Sequence, residues 1–114
     1  YLLPTIIKNE EKNTFLEFKK LFADVKNFAK KNNAKLYFVY LPDYNAVINN
    51  VIEKDFNFVH NTIQDLDITF INLTERLKEH EKPTSLYPSG LPGHYNELGY
   101  MLIASEIFNL INNK

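Results

Sequence analysis

The sequence predicts an α/β protein with a short parallel sheet, and three observations predict it. Two short apolar runs without polar alternation, at residues 36–41 and 68–73, have the character of strands buried on both faces. Stretches with apolar residues every three or four positions lie before, between and after those runs. The resulting order is helix, strand, helix, strand, loop, helix, which suits parallel strands joined by crossover helices. A three-layer αβα arrangement follows.

Residues 1–9 hold a Leu-Leu-Pro sequence and the β-branched pair Ile6-Ile7, and read as an entry segment. Thr14 and Glu17 have the spacing of a capping box. After them Phe15, Phe18, Phe22, Val25 and Ala29 form one apolar helical face, with Leu21 and Phe28 beside it. That helix should end near Asn32-Asn33, where helix-poor residues cluster. Leu36-Tyr37-Phe38-Val39-Tyr40-Leu41 is the first strand, stopped by Pro42. Residues 45–54 fit either a helical turn or a loop. Residues 56–66 read as a helix with Phe56, Val59 and Ile63 on one side. Residues 68–73 form the second strand, and 74–81 a short polar helix. Residues 82–93 carry three prolines and two glycines and form a loop. Residues 95–112 end the chain as an amphipathic helix, with Leu98, Met101, Leu102, Ala104, Ile107, Phe108 and Ile111 as its apolar set. Two strands are few for such a sheet. Either Ile6-Ile7 adds pairing or further strands lie outside this chain, and Tyr1 is not a natural start residue. An incomplete sheet has an exposed edge, so pairing with a second copy through that edge is expected.

Composition narrows the function. A length of 114 residues indicates one domain or part of one, and 45% hydrophobic with 24% charged residues is ordinary for a globular protein. The net charge of −1 implies no basic surface, which argues against nucleic acid as a partner. There is no cysteine, so disulfides, thiolate metal sites and a cysteine nucleophile are excluded within the chain. No apolar run approaches the roughly 20 residues that span a bilayer. Asn72-Leu73-Thr74 fits a glycosylation sequon, read as a chance match at a strand end.

Ligands of open α/β sheets bind beyond the carboxyl ends of the strands. Three stretches reach that region: Pro42-Asp43-Tyr44, Asn72-Leu73-Thr74, and residues 86–100. His94 stands just before the last helix, whose N-terminal dipole disfavours an imidazolium and so suits a general base. Gly93 permits an unusual backbone angle, and Asn96 can cap the helix. A bland reading stands beside each. His94 can be a polar helix-entry residue, and Asp43 can serve only its own turn. Ser85 and Ser89 lie in a Pro/Gly loop, a poor setting for a nucleophile. Tyr87 can pack the loop down or line a pocket, and Glu97 can simply favour the helix dipole. His60, His80 and His94 have no metal-ligand spacing, so no metal and no cofactor is expected.

Leu86-Tyr87-Pro88, followed by Gly93-His94-Tyr95-Asn96-Glu97-Leu98-Gly99-Tyr100, resembles the final motif of SGNH/GDSL hydrolases, roughly His-aromatic-Asn-x-x-Gly-aromatic at the start of the last helix. Residues 68–73 and 35–42 resemble the two strands before that motif, so the resemblance runs in order over nearly the whole chain. It implies a flavodoxin-like SGNH domain of which residues 1–114 are the C-terminal portion. It also implies a bacterial, lipase-like serine esterase with a Ser-His-acid arrangement. His94 would be the base, and the substrate a small acyl ester or acylated glycan, handled by hydrolysis or acetyl transfer. The family's Gly-Asp-Ser-like and oxyanion segments have no counterpart here. Where the family places its acid stand Leu91 and Pro92, so Asp43 or Asn72 becomes the candidate acid or orienting group. Tyr87, Ser89 and Asn96 become candidate pocket residues. The serine is expected outside this chain. The competing expectation is a degenerate relative that binds or assembles without turnover.

Overall fold

The computed structural model describes residues 3–113, with side chains from residue 10. The expectation attached to Tyr1 lies outside the described residues. The fold is mixed α/β, mostly helical, with a short parallel sheet of two strands. In order the elements are α1 (Leu3–Lys31), β1 (Tyr37–Tyr40), α2 (Tyr44–Ile48), α3 (Phe56–Asp65), β2 (Thr69–Asn72), α4 (Thr74–Lys78) and α5 (Glu97–Asn112). Two 3-10 turns, Pro83–Leu86 and Pro88–Gly90, lie in the loop before α5. Among the described residues no helix is long and apolar enough to cross a membrane.

Local chemistry explains where the elements start and stop. α1 begins eleven residues before the expected Thr14, so Ile6-Ile7 is helical and adds no strand. Pro4 is tolerated because the first helical turn has no N–H partner to lose. With no breaker after it, Thr14 falls inside the helix, and its Oγ1 donates to the Glu10 carbonyl at 2.9 Å instead of capping. The helix ends as expected, with Asn33 in the left-handed region at φ 52°. The ambiguous 45–54 stretch resolves into α2 and a loop. The strands are less buried than a two-sided reading implies. β1 is half-buried throughout, and β2 has exposed ends around buried Ile71, because each strand has a single neighbour in the sheet.

The chain divides into two compact units, Tyr1–Phe38 with Phe58–Thr69, and Val39–Asn57 with Phe70–Lys114. In the first, Phe15, Phe18 and Phe22 of α1 meet Phe38 and Phe58, with ring centroids 4.2 Å apart for Phe15–Phe58 and 5.2 Å for Phe22–Phe38. The expected face of α1 is therefore the packed one, but Leu21 and Phe28 stand outside it, Phe28 being 70% exposed. Ile63, Ile68 and Thr62 are buried. The Lys26 ammonium donates to the carbonyls of Leu66 and, at 3.0 Å, Asp67, satisfying groups left open where α3 ends.

The second unit has its core at Ala46, Val47, Ile71, Leu73, Leu77, Leu86, Tyr87 and Ile103. Arg76 of α4 holds Glu106 of α5 at 2.9 Å. α5 buries Gly99 and Ile103, whereas Leu98, Met101 and Phe108 of the expected apolar face are exposed. The helix is apolar on both sides, so periodicity alone does not single out the packed one.

Candidate functional site

The site is built within the second unit from two segments that leave and approach the sheet. The first leaves β1. Pro42 is buried, and Asp43 caps α2, its Oδ1 accepting from the Ala46 N–H at 2.8 Å. The Asp43 N–H donates to Glu53 Oε1 at 3.3 Å. Asp43 thus serves the backbone beside it as a helix cap, while the residue itself remains exposed.

The second segment enters α5. Asn96 caps it, accepting from the Gly99 N–H at 2.9 Å. Its Nδ2 donates to the Ser85 carbonyl at 2.8 Å, and its backbone N–H to the Leu86 carbonyl at 2.9 Å. Gly99 is required by space: a Cβ there would lie 2.6 Å from the Leu86 carbonyl oxygen and 2.9 Å from Tyr95 Cβ. The Tyr95 hydroxyl donates to the Pro42 carbonyl. Asn96, Gly99 and Tyr95 therefore have structural work. His94, between them and Gly93, is exposed, and among the described residues no hydrogen bond reaches its ring.

These segments enclose a cleft of about 440 Å³ lined by Leu41 to Asn45, Pro92 to Tyr95 and Tyr100. His94 and Asp43 share it. The other candidates do not. Asn72 uses its Oδ1 to accept from the Thr74 N–H at 3.0 Å and from Thr74 Oγ1 at 2.6 Å. It lines a separate cleft of about 300 Å³ with Tyr40 and Phe56. Tyr87 is a core residue at 1% exposure rather than a pocket wall, its ring packed on Tyr44 and Tyr95 at 4.8 and 5.1 Å. Ser89 is exposed, away from the cleft lining, with a left-handed φ of 54°. Asn96 is a cap rather than a cleft residue. Among the described residues no group of three or more His, Cys, Asp or Glu is arranged to hold a metal ion.

Tyr44, Tyr95 and Tyr100, which the sequence places in the stretches beyond the strand ends without giving them individual roles, also line the cleft. Tyr44 donates to the Gly90 carbonyl at 3.0 Å and braces the Pro/Gly loop. Burial, and then the neighbouring Tyr87 hydroxyl, hold the Tyr95 phenol far above its ordinary range. Burial likewise raises Tyr87, partly offset by Tyr95. Tyr95 therefore keeps the proton it donates to Pro42 throughout the neutral range. Among the described residues the buried Tyr87 hydroxyl has the Tyr95 hydroxyl beside it but no hydrogen bond of good geometry.

The chain matches no protein-family model, no curated protein and no solved structure.

Proposed function

We propose that this chain carries the histidine part of a serine ester hydrolase site, as the SGNH resemblance implies. His94 is the general base and Asp43 the acid that orients it. The observation that carries the reading is that His94 is exposed, takes part in no hydrogen bond among the described residues, and shares a cleft with a carboxylate at a strand's carboxyl end. In the reaction a serine from a segment outside these residues attacks an ester carbonyl. His94 takes the serine proton and returns it to the leaving alcohol; water then releases the acid by the same route. Asp43 has one carboxylate oxygen engaged in the cap of α2, and the second is the one that would orient the imidazole. Transfer of the acyl group to a sugar hydroxyl in place of water would use the same residues.

One observation favours the competing reading, a binding module without turnover: among the described residues no serine lines the cleft. The two are separated by ester turnover. The longest natural polypeptide containing these residues is assayed against acetyl, butyryl and octanoyl aryl esters. Saturable hydrolysis above the buffer rate is expected. A folded polypeptide that turns over none of them would leave the binding module.

A further inference from the structure

We infer that Tyr95 is the positioning residue of the His94 site, setting the span between the strand end that carries Asp43 and the loop that carries His94. Its hydroxyl donates to the carbonyl of Pro42, a residue adjacent to Asp43 and separated from Tyr95 by 53 positions. Tyr95 is itself adjacent to His94, so one hydrogen bond ties together the neighbours of both cleft residues. On the N-terminal side of His94 stands Gly93, at φ 155°, where a Cβ would meet nothing within 4 Å, and beyond it Tyr44 holds the Gly90 carbonyl at 3.0 Å. On the C-terminal side the chain is held by the Asn96 bonds and by Tyr95. The loop is thus held on both sides of His94, and the tie nearest to the histidine is the one from Tyr95.

The Tyr95 ring alone does not supply the span. It stacks on Tyr87 at 5.1 Å and meets Tyr100 edge-on at 5.7 Å, contacts that a phenylalanine would keep. These fix where the ring lies in the core. Only the hydroxyl reaches the backbone at the end of β1. Removing it leaves the buried Pro42 carbonyl without that donor and lets the strand end and the loop shift independently.

The inference deepens the hydrolase reading and rests on it for the kinetic half of its test alone. Tyr95→Phe and Tyr87→Phe are compared with the parent by NMR, following nuclear Overhauser contacts from the His94 ring to Asp43 and Tyr44. Tyr95→Phe is expected to lose those cross-cleft contacts while keeping the native amide pattern of both strands and of the Asn96 cap. Tyr87→Phe should retain them. Replacing Tyr95 by 4-aminophenylalanine, which restores a donor, should bring them back. If Tyr95→Phe is too unstable in buffer, the comparison is made in trimethylamine N-oxide, which favours the compact state. In the longest natural polypeptide, kcat should fall roughly 10- to 100-fold with KM unchanged, as expected when a reacting group is misplaced by about 1 Å. Cross-cleft contacts that survive in Tyr95→Phe, or are absent from the parent, would overturn the inference. Contacts that behave as expected in a polypeptide without ester turnover would uphold the positioning role and remove the hydrolase reading.

Discussion

His94→Ala is expected to lower ester turnover by roughly 10⁴-fold while leaving the melting temperature almost unchanged. The two halves of that expectation come from one fact. The imidazole is exposed and among the described residues makes no hydrogen bond, so its removal opens no cavity and orphans no partner. Exposed substitutions of this kind change stability by about 0.5 kcal/mol or less. A general base, in contrast, acts in the transition state, where its loss appears in kcat rather than KM. Steady-state kinetics and calorimetry on the same preparation measure both. A melting temperature that falls by several degrees would mean that His94 is a structural helix-entry residue. Retained turnover would mean that another group takes the proton.

Gly99→Ala should do the opposite, unfolding the site without touching its chemistry. Helix propensity alone favours alanine over glycine by about 1 kcal/mol. Against that, the new Cβ would sit 2.6 Å from the Leu86 carbonyl oxygen and 2.9 Å from Tyr95 Cβ. The first of these is backbone, and the same carbonyl accepts the Asn96 N–H at 2.9 Å, so it cannot withdraw without loosening the cap. Overpacking of this kind costs about 1–3 kcal/mol, and each weakened hydrogen bond about 1 kcal/mol more. The clash and the lost bonds exceed the propensity gain. A net destabilisation of roughly 1–3 kcal/mol follows, equivalent to a melting-temperature drop of about 5–15 °C in a domain of this size. Thermal unfolding followed by circular dichroism measures it. A variant as stable as the parent would show that α5 does not approach the Leu86 turn this closely.

Much of the fold is legible in the sequence because local chemistry determines it. The Phe15–Phe18–Phe22 face packs because its spacing matches the helical period and its residues are large. Asn96 caps α5 because its side chain is suited to that role and Glu97 follows in the first turn. The misreadings share a different cause. The capping pattern at Thr14 misplaces the start of α1, because nothing between Pro4 and Thr14 stops the helix. Periodicity does not mark the packed side of α5, because Leu98, Met101 and Phe108 are as apolar as Ile103. Choosing between them depends on what lies beside the helix.

The site divides in the same way. That residues near Asp43 and His94 lie beyond a strand's carboxyl end follows from element order, and the two do share a cleft. Asn72 also lies at a strand end, but its oxygen is taken by Thr74, a short-range bond that the Asn-x-Thr spacing allows. The tie from Tyr95 to Pro42 was not legible, because it joins positions distant in sequence that approach only after the chain folds. Its sequence signal is slight: an aromatic residue next to the candidate histidine.

Fluorophosphonate labelling of the longest natural polypeptide containing these residues, with peptide mapping by mass spectrometry and with His94→Ala in parallel, tests whether His94 activates a serine nucleophile. One labelled serine outside residues 1–114 is expected in the parent, and no label in the variant. An intact, folded parent that takes no label, or a variant labelled as fast as the parent, would contradict that activation.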